Sequence, residues 1–180
     1  MTMSDPLFRP PRGFKPTTKV SWAKWLTEAP TFVTKKRKVK KRGAKWLGIK
    51  YEQRAQAHLE ELYGERYIPS PWFKYFDNGD ERLKWCQPDG LYIDVKRGLI
   101  VIVEIKLRHT PRAWWQLEKK YLPVLRYVFG TDFKYALVEY TKWYDGTEPY
   151  PVPVSLRPSL ADAQPGDFQV TIWRPKGRAK

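Results

Sequence analysis

In the stretch LIVIVEIKL (residues 99–107), a glutamate and a lysine, Glu104 and Lys106, interrupt the most continuously apolar run of the chain. A run of that kind reads as a strand buried on both faces. Its two-residue period puts the Glu104 and Lys106 side chains on the same face. A carboxylate and an ammonium are costly to desolvate there unless they pair or bind a metal. Upstream, Asp89 stands in the turn Pro88-Asp89-Gly90. On adjacent strands the carboxylates of Asp89 and Glu104 converge, and they repel each other unless a cation lies between them. Oxygen ligands completed by water suit Mg²⁺, with Mn²⁺ as its substitute. The blander alternatives are a surface Glu–Lys pair and an aspartate that only stabilises a Pro-Asp-Gly turn. Asp94 is the rival acid, at the far end of its segment.

Elements on either side must position these residues. Residues 45–63 carry Leu47, Tyr51, Ala55, His58, Leu59 and Leu62 at helical spacing, and Gly64 supplies a stop. Residues 65–76 read as extended, and 83–95 as a strand or hairpin broken at Pro88-Asp89-Gly90. A second helix over 112–129 opens at Thr110-Pro111 and presents Trp114, Leu117, Tyr121, Leu125 and Val128, with a kink expected at Pro123. Further strands follow at 133–143 and 168–173. Ser21 and the segment SWAKWLTE suggest a short capped helix before Pro30. The order is α-β-β-β-α-β, an α/β fold with a mixed central sheet flanked by helices. Three regions result: a Pro-rich and basic arm (1–44), a core (45–145), and a C-terminal extension with a basic tail (146–180).

Pro88-Asp89 followed by Glu104-Ile105-Lys106, behind a helix carrying Gly48-Ile49-Lys50-Tyr51-Glu52, resembles the PD-(D/E)xK nuclease superfamily. The resemblance covers about residues 45–143 and implies a restriction-endonuclease-like core and hydrolysis of phosphodiester bonds with Mg²⁺. By that resemblance Asp89 and Glu104 bind the metal, the Ile105 carbonyl adds a ligand, and Glu52 binds through water or a second ion. Lys106 positions the attacking water and meets phosphate charge. Some exonuclease branches carry QxxxY on the second helix. Here Gln116 and Tyr121 stand one residue further apart, which leaves Gln116 a candidate contact to nucleophile or substrate. Glu60 and Glu61 compete with Glu52 for the helical acid.

The net charge of +15 points to a polyanionic partner, because each phosphate contact releases counterions. DNA is the expected partner. Lys35, Lys36, Arg37, Lys38, Lys40, Lys41 and Arg42 form a run, KKRKVKKR, that reads as a clamp on its backbone, against the alternatives of a solvated linker or a nuclear-localisation signal. Arg108 and His109, after the apolar strand, are placed to meet phosphate, although a loop histidine without function is the commoner case. His58 reads as packed on its helix, and Cys86 as a small core residue. Of Trp114 and Trp115 one belongs in the core and the other is free to stack on a base. With one cysteine there is no internal disulfide, and no apolar run approaches the roughly 20 residues of a membrane span. These features fit a cytoplasmic enzyme, in the host cytoplasm if phage-encoded, that acts in recombination, repair or DNA degradation and has a second copy of itself as a candidate partner. The competing class is a catalytically inactive nucleic-acid-binding or DNA-packaging structural protein on the same fold.

Overall fold

The computed structural model of the chain describes residues 10–34, 42–77, 80, 82–146 and 152–177. Its central strand is β6 (Leu99–Arg108). Odd-numbered Leu99, Val101, Val103 and Ile105 pack with Tyr51, Ala55 and Leu59 of helix α1 (Ala44–Tyr63). Even-numbered Ile100 and Ile102 pack with Trp114, Leu117 and Leu125 from the opposite layer. Leu99 through Val103 are fully buried, worth about 1.5–3 kcal/mol for each large aliphatic. That burial lets the strand also carry a desolvated carboxylate.

β6 lies third in a six-stranded sheet ordered β2-β5-β6-β7-β9-β8, where β2 is Tyr67–Pro69, β5 Gly90–Asp94, β7 Lys134–Trp143, β8 Val154–Leu156 and β9 Phe168–Ile172. β2–β5 and β5–β6 are antiparallel, while β6–β7, β7–β9 and β9–β8 are parallel, so the sheet is mixed. The expected α/β class and mixed sheet are therefore present. Within this sheet the chain runs α1, β2, β5, β6, a helical segment, then β7. The C-terminal segment extends the sheet through β9 and β8 and lies along α1, where Tyr51 Oη donates to the Trp173 carbonyl at 3.1 Å.

The apolar stripe of α1 is Tyr51, Ala55, Leu59 and Tyr63. Leu47 and Leu62, expected on that stripe, are 56% and 55% exposed. Leu62 lies one residue, about 100° of helix, off the stripe, and Leu47 belongs to the exposed first turns. Beyond Gly64, at φ 55°, the chain leaves the helix.

The segment expected as a short helix is instead strand β1 (Val20–Leu26). It pairs antiparallel with β3 (Trp72–Asp77), which pairs with β4 (Lys84–Cys86), making a second, three-stranded sheet. Here period two wins over the local capping signal. Trp25 turns inward onto Phe73 and Phe129, while Trp22 turns outward beside Phe76. A partner strand some fifty residues away in sequence decides the conformation, as strand propensity often yields to tertiary context.

The second helical segment consists of α2 (Pro111–Gln116), a π turn (Leu117–Tyr121) and α3 (Leu122–Phe129). Pro123 has no N–H and its ring crowds the carbonyl four residues back. The widened turn before it absorbs that mismatch. The Lys119 and Lys120 carbonyls accept from the Thr17 N–H at 2.8 Å and the Thr17 hydroxyl at 3.3 Å. The N-terminal strap is thereby fixed across the helix at its irregular turn, and Asp77 clasps the Thr18 and Lys19 N–H groups.

Candidate active site

In the β5–β6 register Gly90 faces Val103 and Leu91 faces Ile102. One further step places Asp89 opposite Glu104, just beyond the end of β5. Directly opposed residues share a face, with Cβ atoms about 5 Å apart. Asp89 Oδ2 accepts from the Ile105 N–H at 2.6 Å, the carboxylate replacing the strand partner that β5 no longer supplies. Glu104 is 2% exposed. Lys106 Nζ donates to Glu104 Oε1, and Glu104 Oε2 is buried with no hydrogen-bond partner among the described residues.

Burial pushes the Asp89 carboxyl well above its usual range, and the negative charges of Glu104 and Glu52 push it further. Burial likewise raises Glu104, with Lys106, then Lys120 and the Tyr121 hydroxyl, pulling the other way. Glu52, on α1, is raised by burial and then by Glu104. Burial alone would lower Lys106, but Glu104 beside it, then Asp89 and Glu139, hold the ammonium above its usual value. Asp89, Glu104 and Glu52 thus share one field with Lys106 at the end of β6.

The turn that presents Asp89 is held by groups not singled out in the sequence. The Asp89 carbonyl accepts from the Ser70 N–H and from Gln56 Nε2, each at 3.0 Å. Gln56 also donates to Ser70 Oγ at 2.6 Å, and Gln87 Nε2 to the Ser70 carbonyl at 2.8 Å. Ser70 has φ 46°, a conformation rare outside glycine. Gln56 lies one helical turn after Glu52, so the same face of α1 that offers the acid also anchors the turn. Next in the chain, a Cβ at Gly90 would collide with the Tyr67 ring. Gly90→Ala is expected to cost about 1–3 kcal/mol from overpacking and to displace Asp89. Thermal melting unchanged from wild type would contradict this.

Gln116 and Tyr121 come together despite their spacing. The π turn adds a residue between them, so Gln116 Nε2 donates to Tyr121 Oη at 3.3 Å. Burial, then the charges of Glu104 and Asp89, drive the Tyr121 hydroxyl well above its usual range, which places it in the carboxylates' field. Gln116 Oε1 is buried and unpartnered among the described residues. Gln116 and Lys120 also line a cleft of about 440 Å³ with Lys15, Tyr75, Lys84, Trp85 and Arg112, roofed by the strap at Gly13 and Phe14.

The remaining candidates are placed as follows. Asp94 sits at the other end of β5 and accepts from the Arg97 N–H at 3.1 Å, apart from the site. Arg108 is exposed past the end of the carboxylate cluster, in a groove with His109, Trp143, Tyr144 and Asp145. Arg42 is exposed just before α1. The cations at 35–41 lie outside the described residues. His58 stacks on Trp173 at 4.6 Å, Cys86 is in the core, and of the tryptophan pair Trp114 is buried. His109 is more than a loop residue, since its Nδ1 meets Glu139 Oε2 at 2.7 Å and the same carboxylate accepts from the Thr110 N–H. Glu139, fully buried on β7 beside Glu104, was missed; the signal was an acid between the apolar residues Ala136–Val138 and Tyr140.

Among the described residues no three His, Cys, Asp or Glu side chains form a ready metal cage. The available donors are fewer: Asp89 Oδ1, Glu104 Oε2 and the Ile105 carbonyl, with Glu52 nearby. One or two carboxylates with several waters is the donor set Mg²⁺ takes. An orphaned buried carboxylate oxygen, in a cluster whose acids raise one another, fits such a cation. Among the described residues no helix is long and apolar enough to cross a membrane. No protein-family model, no curated protein and no solved structure matches this chain.

Proposed function

We propose that this chain is a Mg²⁺-dependent deoxyribonuclease of the PD-(D/E)xK type, with a restriction-endonuclease-like core formed by α1, β2, β5, β6, the α2–α3 segment and β7. The observation that carries the proposal is Asp89 opposite Glu104, with Lys106 held on Glu104 and Glu104 Oε2 buried, facing the Tyr121 hydroxyl but without a hydrogen-bond partner of good geometry among the described residues. Left unsatisfied, such an acceptor costs about 1–3 kcal/mol, a cost that a bound cation would offset. Asp89, Glu104 and the Ile105 carbonyl would hold the ion, and Glu52 would reach it through water. When bound, the ion supplies Lewis acidity towards the phosphate and an acidified water.

The chain's own residues do the rest. Lys106 keeps its proton and offers a fixed positive charge to a phosphoryl oxygen. Gln116, held by Tyr121, lines the cleft, and its buried amide oxygen, unpartnered among the described residues, would orient a water admitted beside the carboxylates. The cleft cations Lys15, Arg112 and Lys120 meet the strand on either side of the scissile phosphate. Digestion of circular, linear and branched DNA with Mg²⁺ and with EDTA tests the proposal. Metal-dependent cutting supports it, and cutting of circles assigns an endonuclease; no cutting of any substrate with Mg²⁺ or Mn²⁺ would sink it.

The cations at 35–42 supply sequence-independent affinity in this proposal. Replacing them with Gln should weaken binding of all DNA sequences alike. The slope of log affinity against log salt should flatten by about 0.9 per lost duplex phosphate contact. An unchanged slope in filter binding would make the run a solvated linker.

A further inference from the structure

The three-stranded sheet has two unlike faces. Ala23, Trp25, Phe73, Tyr75 and Cys86 point inward to the core. The other face carries Trp22 beside Phe76, Lys24 directly across from Lys74, and Trp85 across from Lys74 on its other side. Trp22 and Trp85 are 38% and 37% exposed. Phe32, from the turn Thr31–Thr34, packs edge-on against Trp85 at 5.2 Å and Trp72 at 6.0 Å. Lys74 Nζ lies 5.7 Å from the Trp22 ring centre. Opposed lysines on neighbouring strands repel, and no acidic side chain pairs with either among the described residues. Rings and lysines interleaved on an exposed sheet suit a polyanion that also has flat apolar groups.

We propose that this face binds a single polynucleotide strand, stacking its bases on Trp22 and Trp85 with Lys24 and Lys74 on its phosphates, and leads it to the cleft lined by Gln116 and Lys120. Continuity supports this direction, because Trp85 belongs both to the face and to the cleft that holds Gln116 and Lys120. A duplex keeps its bases inside and offers the rings nothing, whereas every unpaired base has a face to stack. In sequence, the cation run at 35–42 follows directly on the Phe32 turn. The inference rests on the nuclease proposal for the class of partner, but its test does not need cleavage.

The test is fluorescence anisotropy in EDTA with oligothymidylate and oligouridylate of about 16 nucleotides, a length that spans such platforms, and with a matched DNA duplex. Trp22→Ala and Trp85→Ala should each lose about tenfold in affinity for a single strand, and Trp22→Ala, which lies outside the cleft, should keep duplex affinity. Trp22→Phe should retain most of it. The charge reversal Lys24→Glu with Lys74→Glu, which leaves the rings in place, should also weaken single-strand binding. Single-strand affinity unchanged in all variants, equal losses for single strand and duplex in Trp22→Ala, or loss of a dimer with binding intact would each overturn the proposal. Stacking-dependent binding by a protein that never cuts DNA would leave this inference standing and remove the nuclease proposal.

Discussion

Glu104→Gln is expected to abolish DNA cleavage, by about a thousandfold or more, while raising the melting temperature of the metal-free protein at neutral pH. Glutamine keeps the shape and still accepts from Lys106, but it carries no buried charge. Asp89, Glu104 and Glu52 all have folded pKa values above their ordinary ones, chiefly through burial. A carboxyl raised in this way stabilises the fold below its unfolded pKa, near pH 4, and that contribution is lost as pH rises through the folded value. The metal-free wild type should therefore lose stability relative to Glu104→Gln as the pH rises above about 4, and Mg²⁺ should narrow the gap towards neutral pH by binding the folded state. Calorimetric scans across that range, with and without Mg²⁺, check both statements. Equal melting temperatures at every pH would mean that the cluster is not under charge strain.

Lys106→Met is the second large effect. It removes the only ammonium on Glu104 Oε1 among the described hydrogen bonds and leaves a carboxylate, 3% exposed at its side chain, without its cation. Breaking a buried pair from one side costs about 3–5 kcal/mol. Lys106 keeps a quarter of its side chain in solvent, so the loss belongs near or below the lower end of that range. Cleavage should fall steeply while Mn²⁺ binding survives, since Lys106 contributes no ligand oxygen. The double variant Glu104→Gln with Lys106→Met should recover most of the lost stability, a non-additivity expected only of residues in contact. Additive melting shifts, or loss of Mn²⁺ binding from a folded Lys106→Met protein, would assign these two residues other roles.

The catalytic candidates were legible in the sequence because their geometry is local. Period two fixes Glu104 and Lys106 on one face, and a single hairpin returns Asp89 to the same point. Helix α1, β6 and β7 were legible for a similar reason, as each carries its own apolar pattern. β1 was not, because its partner is distant in sequence and its eight-residue surroundings satisfy a helix start equally well. Gln56 and Gln87 were invisible because their work is side chain to backbone across the fold. The Gln116–Tyr121 pair shows the converse case: a spacing that looks displaced in sequence is restored by one widened turn ahead of Pro123. The His109–Glu139 pair could be sought, but not fixed, from an acid in the β7 strand.

A parallel cleavage assay of wild type, Asp89→Asn and Glu104→Gln on one DNA substrate with Mg²⁺ probes the proposed centre most directly, with melting and DNA binding measured on the same preparations. The expected result is cutting by wild type alone, and DNA binding by all three folded proteins. Wild-type rates in either variant, or no cutting by wild type with Mg²⁺ or Mn²⁺, would contradict a catalytic centre at Asp89, Glu104 and Lys106.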